Sequence, residues 1–484
     1  MDKPLHECGV FGIYGMSEAA KYVYLGLNFL QHRGQESCGI VSSEGVSLYK
    51  QVGLGKVNDF FDDEKIQYLE GFHAIGHVRY STTGSPTLVN AQPITASTSK
   101  GALAIAHNGN ITNANEIRDG LIKKGKIFHS TSDSEVVLHL ISEAPENDLI
   151  ASVKWALSRL EGAFSLLVMS KDMVLGARDP MGFRPLSLGK IGNTIGHIGE
   201  TTVFSSENSA FSIISAEKVR DIEPNEMVIA TPSGVSSIKI RDKKPKNSQC
   251  VFELIYFAKP SSSIFNKSVY EYRFEIGRRL AKEFPVDADY VVPVPDSGIV
   301  SALGYSDASG IPMAMGLIRS HYIGRTFIEP SQKIRDFGVK LKFIPVKEII
   351  EGKRIILIDD SIVRGTTSRK IVKMIRDFKA SEIHVRISSP PVKFPCYYGI
   401  DFSTYEELLA NKLHTFEEIA KFIGSDTVGY LSTDGLFDES DLNPSDFCKA
   451  CFDGQYPTEL SKFTKSGFEN DIKEKNFGRK NGIH

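Results

Sequence analysis

Ile355-Ile-Leu-Ile-Asp-Asp-Ser-Ile-Val-Arg-Gly-Thr-Thr367 decides the architecture of the second half of this chain. An apolar, mostly β-branched run predicts a buried strand, and it leads straight into two adjacent carboxylates, Asp359 and Asp360. In a parallel sheet the carboxyl end of a strand is where ligands bind. Carboxylates there accept hydrogen bonds from sugar hydroxyls. Arg364, Gly365, Thr366 and Thr367 then open a helix. Gly365 permits a tight turn, and the hydroxyls with the first helical amides suit a phosphate. One short segment therefore offers sugar-type and phosphate-type contacts side by side. The plain alternative is a strand–turn–helix connection whose Asp pair caps the helix.

The surrounding texture agrees with a parallel sheet. Tyr290-Val-Val-Pro-Val and Ile383-His-Val-Arg-Ile are further short β-branched runs, and a helical stretch fills roughly 367–379. Strands alternating with helices imply crossovers. Val294-Pro-Asp-Ser-Gly, with Ser297, also follows a strand. The stretch 319–342 carries Arg319, Arg325, Lys333, Arg335, Lys340 and Lys342 against only Glu329 and Asp336. Such clustered cations suit a pyrophosphate leaving group, or else form a solvated face.

Upstream, the polar run Arg241-Asp-Lys-Lys-Pro-Lys-Asn-Ser marks a domain boundary. Before it, alternating segments beginning at Cys8, Ala74, Ala102, Phe164 and Glu226 predict strands. Helical patterns interrupt them near 19–31, 133–143 and 150–160, giving a strand-rich α+β half. A length of 484 residues with 41% hydrophobic content fits two domains with full cores. The formal net charge of −2 excludes a global nucleic-acid-binding field. There is no membrane-length apolar run and no signal-peptide stretch, so a cytoplasmic protein with reduced cysteines is expected. The Lys-, Asn- and Gly-rich tail reads as unstructured.

Cys8 lies in Glu7-Cys-Gly-Val-Phe-Gly-Ile. If residues 1–7 are removed, Cys8 carries the free α-amine. An α-amine has a pKa of about 7.7–8.0 and can accept the thiol proton. Taken alone, Cys8 is equally a small buried apolar residue. Cys448 and Cys451 form a Cys-x-x-Cys pair, with Cys250 and Cys396 as available partners. Four thiolates can hold zinc or an iron–sulfur cluster, and spacing does not decide between them. Four unligated buried thiols are the bland alternative, and Cys38 reads as a packing residue.

These motifs carry a resemblance. The segment 355–367 resembles the phosphoribosyltransferase signature position by position. Gln31-His-Arg-Gly-Gln-Glu, His77-Val-Arg-Tyr-Ser-Thr-Thr-Gly, Ala106-His-Asn-Gly-Asn-Ile, Ser132-Asp-Ser-Glu and Asp179-Pro-Met-Gly-Phe-Arg-Pro-Leu resemble the glutaminase domain of N-terminal-nucleophile amidotransferases. Cys250-Val-Phe-Glu, Phe394-Pro-Cys-Tyr-Tyr-Gly and Phe447-Cys-Lys-Ala-Cys-Phe are similar to the [4Fe–4S] subgroup of the amidophosphoribosyltransferase family. The resemblance runs from Cys8 to about residue 460.

It implies a propeptide (1–7), a glutaminase domain of stacked antiparallel sheets between helices (8–240), an α/β type I phosphoribosyltransferase domain with the cluster (250–465), and a tail (466–484). Cys8 would be the nucleophile. Arg79 would clamp the glutamine carboxylate and Asp133 its ammonium, while Asn108 and Gly109 would form the oxyanion hole. Taken singly, Arg79 reads as a surface cation, Asp133 as a helix N-cap and Asn108-Gly109 as a hairpin turn. Asp359 and Asp360 would hold the ribose hydroxyls and, with Ser297, Mg²⁺. Residues 364–368 would hold the 5′-phosphate, and Arg325 would lie in a loop closing over phosphoribosyl pyrophosphate. Arg319-Ser-His-Tyr departs from the family's Lys-Asn-Arg-Tyr, which leaves Arg319 and His321 without a carried-over role. Cys250, Cys396, Cys448 and Cys451 would hold [4Fe–4S] with no redox step. Ammonia released from glutamine would pass internally to make 5-phosphoribosylamine, the first step of purine synthesis. The resemblance also implies a homo-oligomer, dimer or tetramer, and purine nucleotides as feedback inhibitors, with no nucleic-acid or membrane partner.

Three alternatives compete. An amidotransferase acting on another acceptor would lack 359–367. A nucleotide-binding regulator would not need the glutaminase residues. An inactive homologue would not keep competent residue types at every catalytic position.

Overall fold

The computed structural model of the chain describes residues 8–80, 87–192, 197–320, 343–401 and 404–459. The 1–7 segment, Arg325 with nearly all of the basic stretch, and the C-terminal tail lie outside the described residues.

The first half folds on strict two-residue alternation. Seven strands pair antiparallel in the order Glu217–Asp221, Ser187–Ile191, His197–Ser205, Gly9–Met16, His73–Arg79, Ser37–Ser43 and Leu48–Leu54. Six more pair antiparallel as Gly234–Lys239, Glu226–Thr231, Val174–Arg178, Gly162–Met169, Gly101–Ile111 and Ile94–Thr98. Successive strand residues point to opposite faces. Val10, Val41 and Ile75 therefore meet Ala104, Leu167 and Val228 between the sheets. Phe11 and Ile13 face outward onto Val23 and Leu27 of the helix Ala19–Phe29. On the far side Phe164 and Leu166 pack against Val136 and Leu140 of Glu135–Glu143 and Val153 of Leu149–Leu157. The layers run helix, sheet, sheet, helix, as expected of the first half.

Two local expectations change. Asn108-Gly109 is no hairpin turn: it lies inside the Gly101–Ile111 strand, paired with Ser165 and Phe164. Asp133 does not cap the following helix, whose N-cap is Ser134.

The second half is built on a parallel sheet in the order Tyr290–Pro293, Arg354–Asp359, Glu382–Ile387 and Thr427–Tyr430. Helices cover both faces, which is why its strands are continuous apolar runs. Val269–Glu283 and Ile299–Ser309 bring Tyr272, Ile276 and Tyr305 against Ile356 and Ile358. Thr366–Asp377 and Phe416–Ile423 bring Ile371, Ile375 and Ile419 against Ile355 and Leu357. The last strand and the first two of these helices were not legible as separate patterns.

Those two helices cross at backbone contact. A Cβ at Gly304 would stand 2.0 Å from the Phe274 carbonyl oxygen, and one at Gly277 2.1 Å from that of Ser301. Gly304→Ala should therefore destabilise the protein by about 1–3 kcal/mol through overpacking. A denaturant titration checks this, and an unchanged midpoint would contradict the close crossing.

Candidate active sites

Cys8 stands one residue before the central strand of the seven-stranded sheet and is buried. Its thiol donates to the Tyr80 carbonyl at 3.4 Å. Burial pushes the thiol up to about 11, with the Tyr80 contact and the Arg79 charge working the other way. Asp133 and Glu36 are close enough to push in the same direction as burial. Arg79 ends the neighbouring strand, buried rather than a surface cation. His77, on the same strand, donates through Nε2 to the His107 carbonyl at 2.9 Å. This ties the strand of Arg79 to the strand of Asn108 and Gly109. Asp133 accepts from the Ile111 amide at 2.9 Å, and its carboxylate lies 3.7 Å from His107 Nδ1.

Asn108 is 1% exposed, and neither atom of its side-chain amide has a hydrogen-bond partner among the described residues. Buried polar groups are normally satisfied, so an orphaned amide marks a place where a ligand belongs. Gly109 has φ +145°, and a Cβ there would stand 2.1 Å from the Ala163 carbonyl oxygen. No other residue fits that position. The predicted glutamine-site residues thus converge on one end of the sandwich. The chemistry available is a thiol, an orphaned amide donor, a guanidinium and a carboxylate.

Sequence reasoning missed the charges beneath this site. Arg33 donates through Nε to the Cys8 carbonyl at 3.0 Å. Its Nη1 lies 2.7 Å from Glu207, and its Nη2 lies 2.6 Å from Glu253 of the second half. Arg184 joins Glu253 at 3.4 Å and donates through Nε to the Tyr398 carbonyl at 3.0 Å. All four side chains are fully buried. Burial opposes the charge on Arg33, but Glu253 and Glu207 outweigh it and hold its pKa above the usual value. Burial likewise opposes ionisation of Glu207, yet His32 and Arg33 keep it well below the usual carboxylate range. The available signal was Glu253 itself, a carboxylate within the apolar run Val251-Phe-Glu-Leu-Ile. A charge is rarely buried unless paired.

In the second half, Asp359 ends the central parallel strand, and Asp360 follows it, both buried. The Asp360 amide donates to Asp359 Oδ1 at 3.0 Å, and Ser361 donates to Asp360 Oδ2 at 2.6 Å. Ser297 donates to Asp360 Oδ1, which joins the second predicted loop to the Asp pair. The Asp pair therefore does not cap the helix. Buried Arg273 is pushed down to about 10 by its burial, and the charge of Asp360 is the largest influence opposing this. Gly365 has φ +79° at the N-cap of the Thr366–Asp377 helix, so the tight turn is real. Arg364 pairs with Glu407 at 2.6 Å. Arg319 pairs with Asp296, beside Ser297. Arg325 lies outside the described residues.

The Cys250 and Cys448 positions are register partners in a short parallel ladder. Cys250, Cys396 and Cys451 are buried in one core cluster, with Cys448 packed against it. Burial raises Cys250 to about 11 and Cys448 and Cys451 well above the ordinary thiol range; neighbouring cysteines push each further up. Among the described residues, no three or more His, Cys, Asp or Glu side chains close around one point as a single ion needs. Cys38 is buried in the helix-facing core of the seven-stranded sheet, as a packing residue should be.

A stacked-sheet half with a buried thiol, joined to a parallel-sheet half with an acidic strand end, defines a two-site protein of the amidotransferase class. Residues 77–212 match the family described as glutamine amidotransferase domain. Amidophosphoribosyltransferase 1, chloroplastic, of Arabidopsis thaliana is 48% identical over 460 residues, covering 95% of this chain and 80% of its own length. A solved structure described as the allosteric regulatory enzyme of purine biosynthesis superposes with a TM-score of 0.88 at 44% identity, covering 94% of this chain and 97% of the other. Glutamine phosphoribosylpyrophosphate amidotransferase from B. subtilis, complexed with ADP and GMP, superposes with a TM-score of 0.87 at 44% identity, covering 94% and 99%. The chain belongs to the amidophosphoribosyltransferase family.

While residues 1–7 are attached, the raised Cys8 pKa leaves almost no thiolate at neutral pH. Alkylation of Cys8 by iodoacetamide, mapped by peptide mass, should be slow at pH 7 and climb steadily toward pH 11. Rapid labelling at pH 7 in the uncleaved chain would contradict the burial effect.

Proposed function

We propose that this enzyme transfers the amide nitrogen of glutamine to phosphoribosyl pyrophosphate, giving 5-phosphoribosylamine, glutamate and pyrophosphate as the first step of purine synthesis. The observation that carries this is the orphaned Asn108 amide at the end of the sandwich that holds Cys8, Arg79 and Asp133. In this mechanism, removal of residues 1–7 frees the Cys8 α-amine. Among the described residues, the thiol's hydrogen bond goes to a backbone carbonyl, not to a histidine. The α-amine takes the thiol proton, and sulfur adds to the glutamine amide carbon. The developing oxyanion is met by Asn108 and the Gly109 amide. Arg79 and Asp133 hold the two charged ends of the amino acid. The amine's proton passes to the leaving nitrogen, ammonia departs, and water hydrolyses the thioester to glutamate. Ammonia then attacks the anomeric carbon at the second site. The bond to pyrophosphate breaks with its electron pair on the departing oxygen, and the nitrogen then gives up its surplus proton to water or to the departing pyrophosphate.

At that second site Asp359 and Asp360 hold the ribose hydroxyls, and residues 364–368 hold the 5′-phosphate. Ser297, Asp359 and Asp360 form an all-oxygen donor set of the kind Mg²⁺ takes, and they would hold it against the pyrophosphate. When bound there, Mg²⁺ neutralises charge on the leaving group. Arg325 and its neighbours would close over the substrate.

For the cysteines, the Cys250–Cys448 register and the shared core of Cys250, Cys396 and Cys451, with Cys448 packed against it, support a common group, which the four thiolates would hold as [4Fe–4S]. The cluster would be structural. We further propose a cytoplasmic homo-oligomer regulated by purine nucleotides. The B. subtilis relative's complex with ADP and GMP supports the regulation. No described helix is long and apolar enough to cross a membrane.

Cys8→Ser should abolish glutamine-dependent synthesis and keep ammonia-dependent synthesis; loss of both would refute separate sites. Asp359→Ala with Asp360→Ala should remove both, and full activity in that variant would refute the sugar-site assignment. Intact mass and iron content of the mature protein test the rest. Loss of residues 1–7 and about four irons per chain are expected. A colourless zinc protein would overturn the cluster.

A further inference from the structure

Arg33 has five N–H donors in a rigid fork. One of them, Nε, goes to the Cys8 carbonyl at 3.0 Å. The other end is gripped by Glu253 across both nitrogens, Nη1 to Oε2 at 3.1 Å and Nη2 to Oε1 at 2.6 Å. A bidentate grip fixes the guanidinium plane as well as its position. The plane sets where Nε points, so Glu253 sets how Arg33 meets Cys8. Glu207 adds a single contact to Nη1, and its carboxylate is shared with His32, the Lys259 amide and Ser262. It cannot replace the two-point grip.

Position matters more at Cys8 than elsewhere. Once residues 1–7 are gone, the carbonyl is the only peptide group through which residue 8 is held. Rotation about the Cα–C bond swings the thiol and the α-amine together relative to the strand that carries Asn108. Glu253 lies 220 residues beyond Arg33, in the second half, and touches neither glutamine-binding group named above.

We propose that Glu253 is a positioning residue for the glutaminase nucleophile, acting through Arg33; this rests on the amidotransferase reading of Cys8. The second half thereby supplies part of the first half's working geometry. The charge balance agrees: Arg33 and Arg184 face Glu207 and Glu253 in a fully buried group.

The test uses the mature holoenzyme carrying Glu253→Gln, with glutamine-dependent and ammonia-dependent synthesis, glutamine KM and iron content all measured. The expected result is a fall of tenfold or more in glutamine-dependent kcat, with glutamine KM and ammonia-dependent synthesis each within twofold of the parent and iron unchanged. Iodoacetamide labelling of Cys8 should slow and its pH profile shift. Glu253→Asp keeps the charge but withdraws the grip by one methylene, so it should fall between the two. It also serves if the Gln variant does not fold. Unchanged glutamine-dependent kcat in either variant, or an equal fall in both syntheses or loss of iron, would overturn the proposal. If the parent itself shows no glutamine-dependent synthesis, the amidotransferase reading fails instead.

Discussion

The buried charge group of Arg33, Glu207, Glu253 and Arg184 is the constraint on which the two halves depend. Each charge is fully removed from water. Removing one partner from such a group leaves an uncompensated buried charge, at a cost of roughly 3–5 kcal/mol. The halves must therefore dock in one register, because only that register pairs Arg33 with Glu253. Other contacts follow from it. Asn110 donates to the Tyr397 carbonyl at 2.9 Å, and Phe183 stacks on Tyr398 with ring centroids 4.2 Å apart. A Cβ on Gly399 would stand 3.4 Å from the Gly109 backbone. The 396–399 segment lies directly against the strand that carries the orphaned amide.

This geometry divides labour between the sites. In the proposed reading the first half supplies a nucleophile, a donor and two charged clamps at one end of its sandwich. The second half places carboxylates at the end of its central parallel strand, where the topology already opens a crevice. The charge of Asp360 is the largest influence keeping buried Arg273 protonated, so the two buried charges offset each other. Two of the cysteine-bearing segments reach the first half: Glu253, three residues after Cys250, grips Arg33, and Tyr397, next to Cys396, accepts from Asn110.

Much of this was legible in the order of residues. The run 355–367 announced strand, acidic pair, tight turn and helix, since each link is local. The strands of the first half were legible from alternation, although Asn108-Gly109 misled as a turn because that dipeptide favours hairpins. What alternation could not reveal is that this strand is long and that Gly109 serves a crowded ladder position. The Arg33–Glu253 pair was illegible for a different reason. Its meaning lies in a contact across 220 residues, and no local pattern encodes a partner at that distance. The helices Val269–Glu283 and Ile299–Ser309 were missed because their packing rests on Gly277 and Gly304, which weaken a helical pattern.

The contact between Asn110 and Tyr397 spans 287 positions and has a consequence in time. A ribosome releases Cys8 first and residues 253 and 397 much later. The nascent first half can form its sandwich early, but the floor under its catalytic strand arrives only with the second half. The Arg33–Glu253 grip and the Asn110–Tyr397 contact can close only after most of the chain has been made. Under the proposed reading, the glutamine end of the sandwich is completed together with the second half rather than before it.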